Sequence, residues 1–172
     1  MPHRQAGRGL LEEPLGMTRY LEDYVTGTVL ETGTVLVSDD DVSAFAQRYD
    51  PQPFHVDPVA AAATPYGGII ASGWHTAAIT MRLILDHVVS GETSLGSPGI
   101  GRLSWILPVR PGDTLHARVH VKANRRSNSK PDRGLITLDV DVFNGRDELV
   151  MSAHDWIAII RVRPEVLGTS TP

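Results

Sequence analysis

The segment GWHTAAITMRLILDHVV, residues 73–89, decides how the rest of this chain can fold. Trp74, Met81 and Leu85 recur at helical spacing on one side of it, and Leu83 is apolar on the other side. A helix that is apolar nearly all round is usually buried. We therefore predict a long helix over residues 73–89 that lies at the centre of the fold.

The residues beyond this helix change to a period of two. Apolar and polar side chains alternate in LHARVHVK, residues 115–122, and in ITLDVDV, residues 136–142, and residues 149–160 form another apolar segment. Clean alternation is typical of antiparallel strands with one buried face and one wet face. Upstream, residues 28–37 are rich in Val and Thr, which predicts one more strand.

Two short helices are predicted between the first strand and the long helix. Ser38 begins the first as its N-cap, and Pro51 ends it near Tyr49 because the residue before a proline avoids helical geometry. Asp57 followed by Pro58 is the signature of a second helix start, with an acidic cap and proline at the first helical position.

The pattern as a whole indicates an α+β protein. A long antiparallel sheet must cover its apolar face, and the helix of residues 73–89 is the only large apolar object available. A sheet wrapped around one central helix is the hotdog fold, and its exposed edge favours a dimer. We expect a single domain over residues 18–163, a flexible N-terminal tail over 1–17 and a C-terminal tail over 164–172.

Composition excludes several classes of function. The chain has 172 residues, a formal net charge of −4 and no cysteine. An acidic balance argues against a nucleic-acid partner, and the lack of cysteine excludes disulfide scaffolds, thiolate metal sites and cysteine nucleophiles. Charged residues interrupt the most apolar stretch, so no membrane segment is expected. These features fit a cytoplasmic protein, and no histidine shows metal-binding spacing.

The unusual motif of the sequence is YDPQPFHVD, residues 49–57. It places Asp50 and His55 five residues apart in a segment stiffened by Pro51 and Pro53. Loops held by a rigid scaffold commonly carry catalytic groups, so this pair is a candidate catalytic dyad. The alternative is a local turn around the aspartate and an ordinary surface histidine.

A second candidate lies at the start of the long helix, in Ser72-Gly73-Trp74. Helix N-termini expose unpaired N–H groups with partial positive charge, and glycine lets a ligand approach the backbone. Such a site could stabilise an enolate oxygen. Ser72 could equally be a simple cap, and Tyr66 and Trp74 could either line a pocket or pack in the core.

Together these residues resemble the MaoC-like dehydratase family, which includes the (R)-specific enoyl-CoA hydratases. The family motif D-x-N-P-x-H-x-D is similar to DPQPFHVD, residues 50–57. The family's strand-turn-strand segment is similar to PVRPGDTL, residues 108–115, and its usual opening to YLEDY, residues 20–24. The resemblance covers residues 18–163.

The resemblance implies a hydro-lyase that acts on an enoyl-CoA or related acyl thioester. Asp50 and His55 would hold and activate one water, and the N–H of Gly73 would receive the enolate oxygen. Four further residues are assigned to the oxyanion and substrate-binding site, namely Ser72, Gln52, Tyr66 and Trp74. The family implies no metal and no cofactor, since coenzyme A is part of the substrate, and a homodimer or a dimer of dimers.

Three positions differ from the hydratases. Gln52 stands in place of Asn, Ser72 in place of His, and Met81 in place of a Ser near the dyad. Two alternatives therefore stay open. One is a hotdog acyl-CoA thioesterase, and the other is a non-catalytic subunit that binds acyl-CoA.

Overall fold

The structure, a computed structural model, describes residues 18–167. Six strands and five helices follow a 3-10 turn at Leu21–Asp23 in this range: β1 (Val29–Glu31), β2 (Val35–Leu36), α1 (Asp39–Tyr49), α2 (Pro53–Val56), α3 (Pro58–Ala62), α4 (Gly73–His87), β3 (Gly99–Trp105), β4 (Thr114–Arg126), β5 (Arg133–Asn144), β6 (Leu149–Arg161) and α5 (Pro164–Leu167). The tail predicted over 1–17 lies outside the described residues, as do residues 168–172.

The strands form one antiparallel sheet in the order β1-β4-β5-β6-β3, with β2 also paired to β4. Alternate residues of β4 and β5 are buried, as the period of two predicts. The strand predicted over 28–37 is interrupted. At the break, the Thr32 hydroxyl accepts the Ala117 N–H at 2.9 Å, and a side chain at Gly33 would press on His87.

Helix α4 packs its Ile84 and Val88 end into the core cluster formed by the sheet. The C-terminal end of α4 is held from outside the sheet. Tyr24 donates its hydroxyl to the Val88 carbonyl at 2.9 Å, and Arg19 donates to the carbonyls of His87 and Val88. The predicted arrangement, an antiparallel sheet around a central helix, is confirmed.

The buried face of α4 differs from the one with the larger apolar side chains. Leu83 is 1% exposed, whereas Trp74, Met81 and Leu85 are 60%, 37% and 38% exposed. Thr80 is fully buried, and its hydroxyl donates to the Thr76 carbonyl at 2.8 Å, which satisfies the hydroxyl inside the helix. An apolar stripe of α4 is therefore left partly open in the single chain.

The remaining features of the fold concern its helices. Residues 164–167, at the start of the predicted C-terminal tail, form α5. Among residues 18–167, none of the helices combines the length and the apolar character needed to cross a membrane.

His75 is a buried polar residue at the junction of α1 and α4. Its ring stacks on Phe45 with centroids 4.9 Å apart, and its Nδ1 has no hydrogen-bond partner among the described residues. Burial lowers the pKa of His75, and the negative charge of Asp41 opposes this in part. The imidazole is thus disfavoured as a cation in the folded state.

This predicts a pH-dependent loss of stability. Because the pKa of His75 is lower in the folded than in the unfolded chain, its contribution is complete above the unfolded value of about 6.5 and is lost as the pH falls below it. A His75→Phe variant should show a smaller decrease in the free energy of unfolding between pH 7 and pH 5, measured by urea denaturation. The exposed His120→Gln is the control, and equal slopes in all three proteins would contradict the assignment.

Candidate active site

The Asp50–His55 pair is brought together by a helical turn. Asp50 follows the last residue of α1, and Pro53 opens the four-residue α2 that carries His55. The segment that the sequence predicts as a loop is therefore partly helical. Asp50 Oδ2 lies 3.3 Å from His55 Nε2, so the two candidate catalytic side chains converge.

The imidazole of His55 is fixed by the chain that precedes α4. Its Nδ1 lies 2.7 Å from the Ile70 carbonyl, and the Ile70 N–H donates to the Phe54 carbonyl at 3.2 Å. A carbonyl oxygen can only accept, so Nδ1 carries the hydrogen in this contact. The ring of His55 is buried, and its other nitrogen, Nε2, faces Asp50.

Both oxygens of Asp50 accept hydrogen bonds. The Ser72 hydroxyl donates to Oδ2 at 2.6 Å, and the Gln52 amide donates to Oδ1 at 2.8 Å. These two bonds, with the Ser72 bond the larger effect, lower the pKa of the Asp50 carboxyl, and His55 adds a smaller effect in the same direction. Asp50 is consequently held as a carboxylate.

The second aspartate of the motif has a structural role. Asp57 Oδ1 accepts the N–H groups of Val59 and Ala60 at 2.9 and 3.2 Å, so it caps α3. This confirms the predicted helix start at Asp57. The role of Asp57 therefore differs from that of the Asp50–His55 pair.

The start of α4 lies next to the pair. Ser72 is the N-cap and accepts the Trp74 N–H at 3.3 Å, while the hydrogen bonds of the described residues leave the Gly73 N–H without an acceptor. A Cβ at Gly73 would lie 2.5 Å from the Trp105 ring. Trp105 in turn meets Trp74 edge to face at 5.2 Å, so only glycine fits beneath this pair.

These elements line a half-open cavity of about 370 Å³. Its wall includes the expected Asp50, His55 and Gly73, and also Gln52, Tyr66 and Trp74, whereas Ser72 is not among its lining residues. Sequence reasoning missed the cover of the cavity, which is built from Trp105 and the apolar residues 106–109. The sequence around Trp105 gives no local signal of this, because Trp105 reaches the site only through the pairing of β3 with β6.

Met81 does not reach this cavity. It lines a separate, smaller apolar groove of about 90 Å³ with Leu85 and Trp156. Among residues 18–167, no group of three or more His, Asp and Glu side chains is arranged to hold a metal ion.

Comparison with known proteins identifies the family of this chain. The model of the MaoC like domain matches residues 21–142. The chain belongs to the MaoC-like family. This confirms the family resemblance, and the family includes hydratases and dehydratases of the hotdog fold.

Three relatives illustrate the match. The MaoC-like dehydratase from Rhodospirillum rubrum is 39% identical with a TM-score of 0.77, covering 85% of this chain and 99% of that one. The (R)-hydratase from A. caviae involved in PHA biosynthesis is 27% identical with a TM-score of 0.63, covering 83% and 99%. The "Uncharacterized protein YdeM" of Bacillus subtilis (strain 168) is 30% identical over 141 residues, which are 82% of this chain and 99% of that protein.

The contact between Gly73 and Trp105 predicts a strong steric coupling. A Gly73→Ala substitution forces the indole away from the helix, and overpacking of this kind costs about 1–3 kcal/mol of unfolding free energy. In a Trp105→Ala background the same substitution should cost much less. Urea denaturation of the four proteins measures the coupling. Gly91→Ala, where a Cβ meets nothing within 4 Å, is the control, and an equal cost in both backgrounds would refute the contact.

Proposed function

We propose that this protein is a hydro-lyase that adds water to, or removes it from, the 2,3-double bond of an enoyl-CoA or related acyl thioester. The observation that carries the proposal is the 3.3 Å approach of Asp50 Oδ2 to His55 Nε2 on the wall of a cavity that also exposes the start of α4. Membership in the MaoC-like family supports the same reaction class.

Hydration requires a positioned base, because water at neutral pH is a poor nucleophile. Asp50, held as a carboxylate, accepts a proton from water as the water oxygen bonds to the β-carbon. The electron pair of the double bond moves to the thioester as an enolate. A proton handled by the Asp50–His55 pair then returns to the α-carbon, so that water is added across the double bond with no redox change.

The developing enolate needs a hydrogen-bond donor at its oxygen. The Gly73 N–H supports this role, because it borders the cavity and has no acceptor among the described residues. It is also the first residue of α4, where the helix carries partial positive charge. A donor fixed at the site of developing charge contributes without reorganisation.

The shape of the cavity supports an acyl group as the part of the substrate that enters. Trp105 and residues 106–109 supply an apolar cover, and Tyr66 and Trp74 lie at the exposed side of the cavity. Coenzyme A would be the carrier of the acyl group, and therefore substrate rather than cofactor. Gln52 preserves a donor to Asp50 despite its extra methylene relative to Asn.

Replacement of Asp50 by Asn should abolish the base while its shape is kept. We expect a 10²- to 10⁴-fold loss of turnover, the usual contribution of a positioned acid or base, and a comparable loss for His55→Gln. The assay follows the absorbance of the conjugated thioester of crotonyl-CoA. Asp57→Asn is the matched control, because asparagine also caps helices and Asp57 faces α3.

The same assay separates the alternatives. Full activity in Asp50→Asn would refute the proposed dyad. Release of free thiol from a saturated acyl-CoA would identify a thioesterase, and tight thioester binding without turnover of crotonyl-CoA or longer enoyl-CoAs would identify a binding subunit.

The assembly proposed with this function is a homodimer, or a dimer of dimers. Strand β3 pairs with β6 on one side and ends the sheet on the other, so its outer edge is open in the single chain. The apolar stripe of α4 at Met81 and Leu85 is also partly exposed. An open sheet edge and an exposed apolar groove favour association with a second copy.

Light scattering after size exclusion should give at least twice the chain mass of 18.7 kDa. Leu85→Lys places a charge in the apolar groove and should shift the protein toward the monomer mass. Val59→Lys, an exposed apolar position on α3, should leave the mass unchanged. A wild-type protein at 18.7 kDa would contradict the proposed assembly.

A further inference from the structure

We propose that Ser72 is a positioning residue, which acts on the reaction by joining the N-terminus of α4 to the Asp50 carboxylate rather than by touching the substrate. This inference rests on the proposed hydro-lyase function and deepens it. It replaces the substrate-binding role that the family resemblance implies for Ser72.

The Ser72 hydroxyl has a single hydrogen to donate. A hydroxyl has one hydrogen, and at Ser72 it points to Asp50 Oδ2 at 2.6 Å. The side chain is 1% exposed, so water cannot replace this contact. Ser72 therefore has no second hydrogen to offer an enolate oxygen, and its absence from the cavity wall agrees with this.

The oxygen of the same hydroxyl also accepts a hydrogen bond. The Trp74 N–H donates to Ser72 Oγ at 3.3 Å, which makes Ser72 the cap of a fifteen-residue helix. The contacts run in one direction, from a backbone N–H of the first turn through the hydroxyl to the carboxylate. Through this hydroxyl, the partial positive charge of the helix terminus stabilises the negative charge of Asp50.

Within residues 18–167, Ser72 is one of two side chains that donate to the Asp50 carboxylate. A carboxylate has about four lone-pair sites. Ser72 occupies one on Oδ2, the same oxygen faces His55 Nε2, and Gln52 occupies one on Oδ1. One donor therefore holds each oxygen, so Ser72 and Gln52 together fix the orientation of the carboxylate.

The consequence is a carboxylate that stays ionised at lower pH. The hydrogen bond from Ser72 is the largest cause that lowers the pKa of Asp50. Activity that requires ionised Asp50 should consequently persist further into the acidic range than it would without the hydroxyl. A simple capping role for Ser72 predicts no such effect.

Three substitutions separate capping from positioning. Ser72→Thr keeps both the cap and the donor. Ser72→Ala removes both. Ser72→Asp keeps a good cap, since aspartate caps helices as well as serine, but places a second negative charge against Asp50. Thr80→Val, which deletes another buried hydroxyl of α4 away from the cavity, is the control for loss of a hydroxyl.

The primary readout is the titration of the Asp50 carboxyl carbon by NMR in ¹³C-labelled protein, assigned from the signal lost in Asp50→Asn. We expect the Asp50 midpoint to move to higher pH in Ser72→Ala and further in Ser72→Asp, and to stay in place in Ser72→Thr and Thr80→Val. An unmoved midpoint in both Ser72→Ala and Ser72→Asp would overturn the inference.

The second readout is the pH dependence of kcat/KM with an enoyl-CoA. Its acidic limb should move in the same direction and order as the NMR midpoint. Restored stability with a displaced limb in Ser72→Asp is a result that capping alone does not produce. A shifted NMR midpoint in a protein without hydratase activity would refute the proposed function but support the link between Ser72 and Asp50.

Discussion

The candidate site depends on how the beginning of α4 is tied to the segment that follows α1. Two side-chain hydrogen bonds make this junction, one from the Ser72 hydroxyl to Asp50 at 2.6 Å and one between His55 Nδ1 and the Ile70 carbonyl at 2.7 Å. Ser72 and His55 are both buried, so water does not compete for their partners. The carboxylate, the imidazole and the helix terminus therefore form one rigid unit, as electrostatic preorganisation requires.

The rest of the fold holds this unit in place from the far end of the helix. The aliphatic side of α4 at Leu83 and Ile84 is buried, and its last carbonyls accept hydrogen bonds from Arg19 and Tyr24. A helix fixed at its C-terminus by the sheet and the N-terminal segment cannot slide along its axis. Its first residue, Gly73, is thus kept at a constant place beneath Trp105.

Environment, rather than residue type, separates the roles within the motif of residues 50–57. Asp50 and Asp57 have the same side chain. Asp57 accepts hydrogen bonds from two backbone N–H groups of α3, whereas Asp50 accepts them from side chains and faces an imidazole. The change from Asn to Gln at position 52 keeps a donor to Asp50. The differences from the hydratase motif thus leave the surroundings of the carboxylate hydrogen-bonded.

The sequence by itself determined the features that depend on neighbouring residues: the period of two in β4 and β5, the caps at Ser38 and Asp57, the extent of α4 and the Asp-His motif that indicates the family. Only the tertiary structure decided which face of α4 is buried, that Trp105 covers the cavity, and that Ser72 donates to a carboxylate 22 residues away. The physical reason is the range of the interactions. Caps and periodicity are local, whereas burial and partners of buried hydroxyls depend on segments distant in the chain.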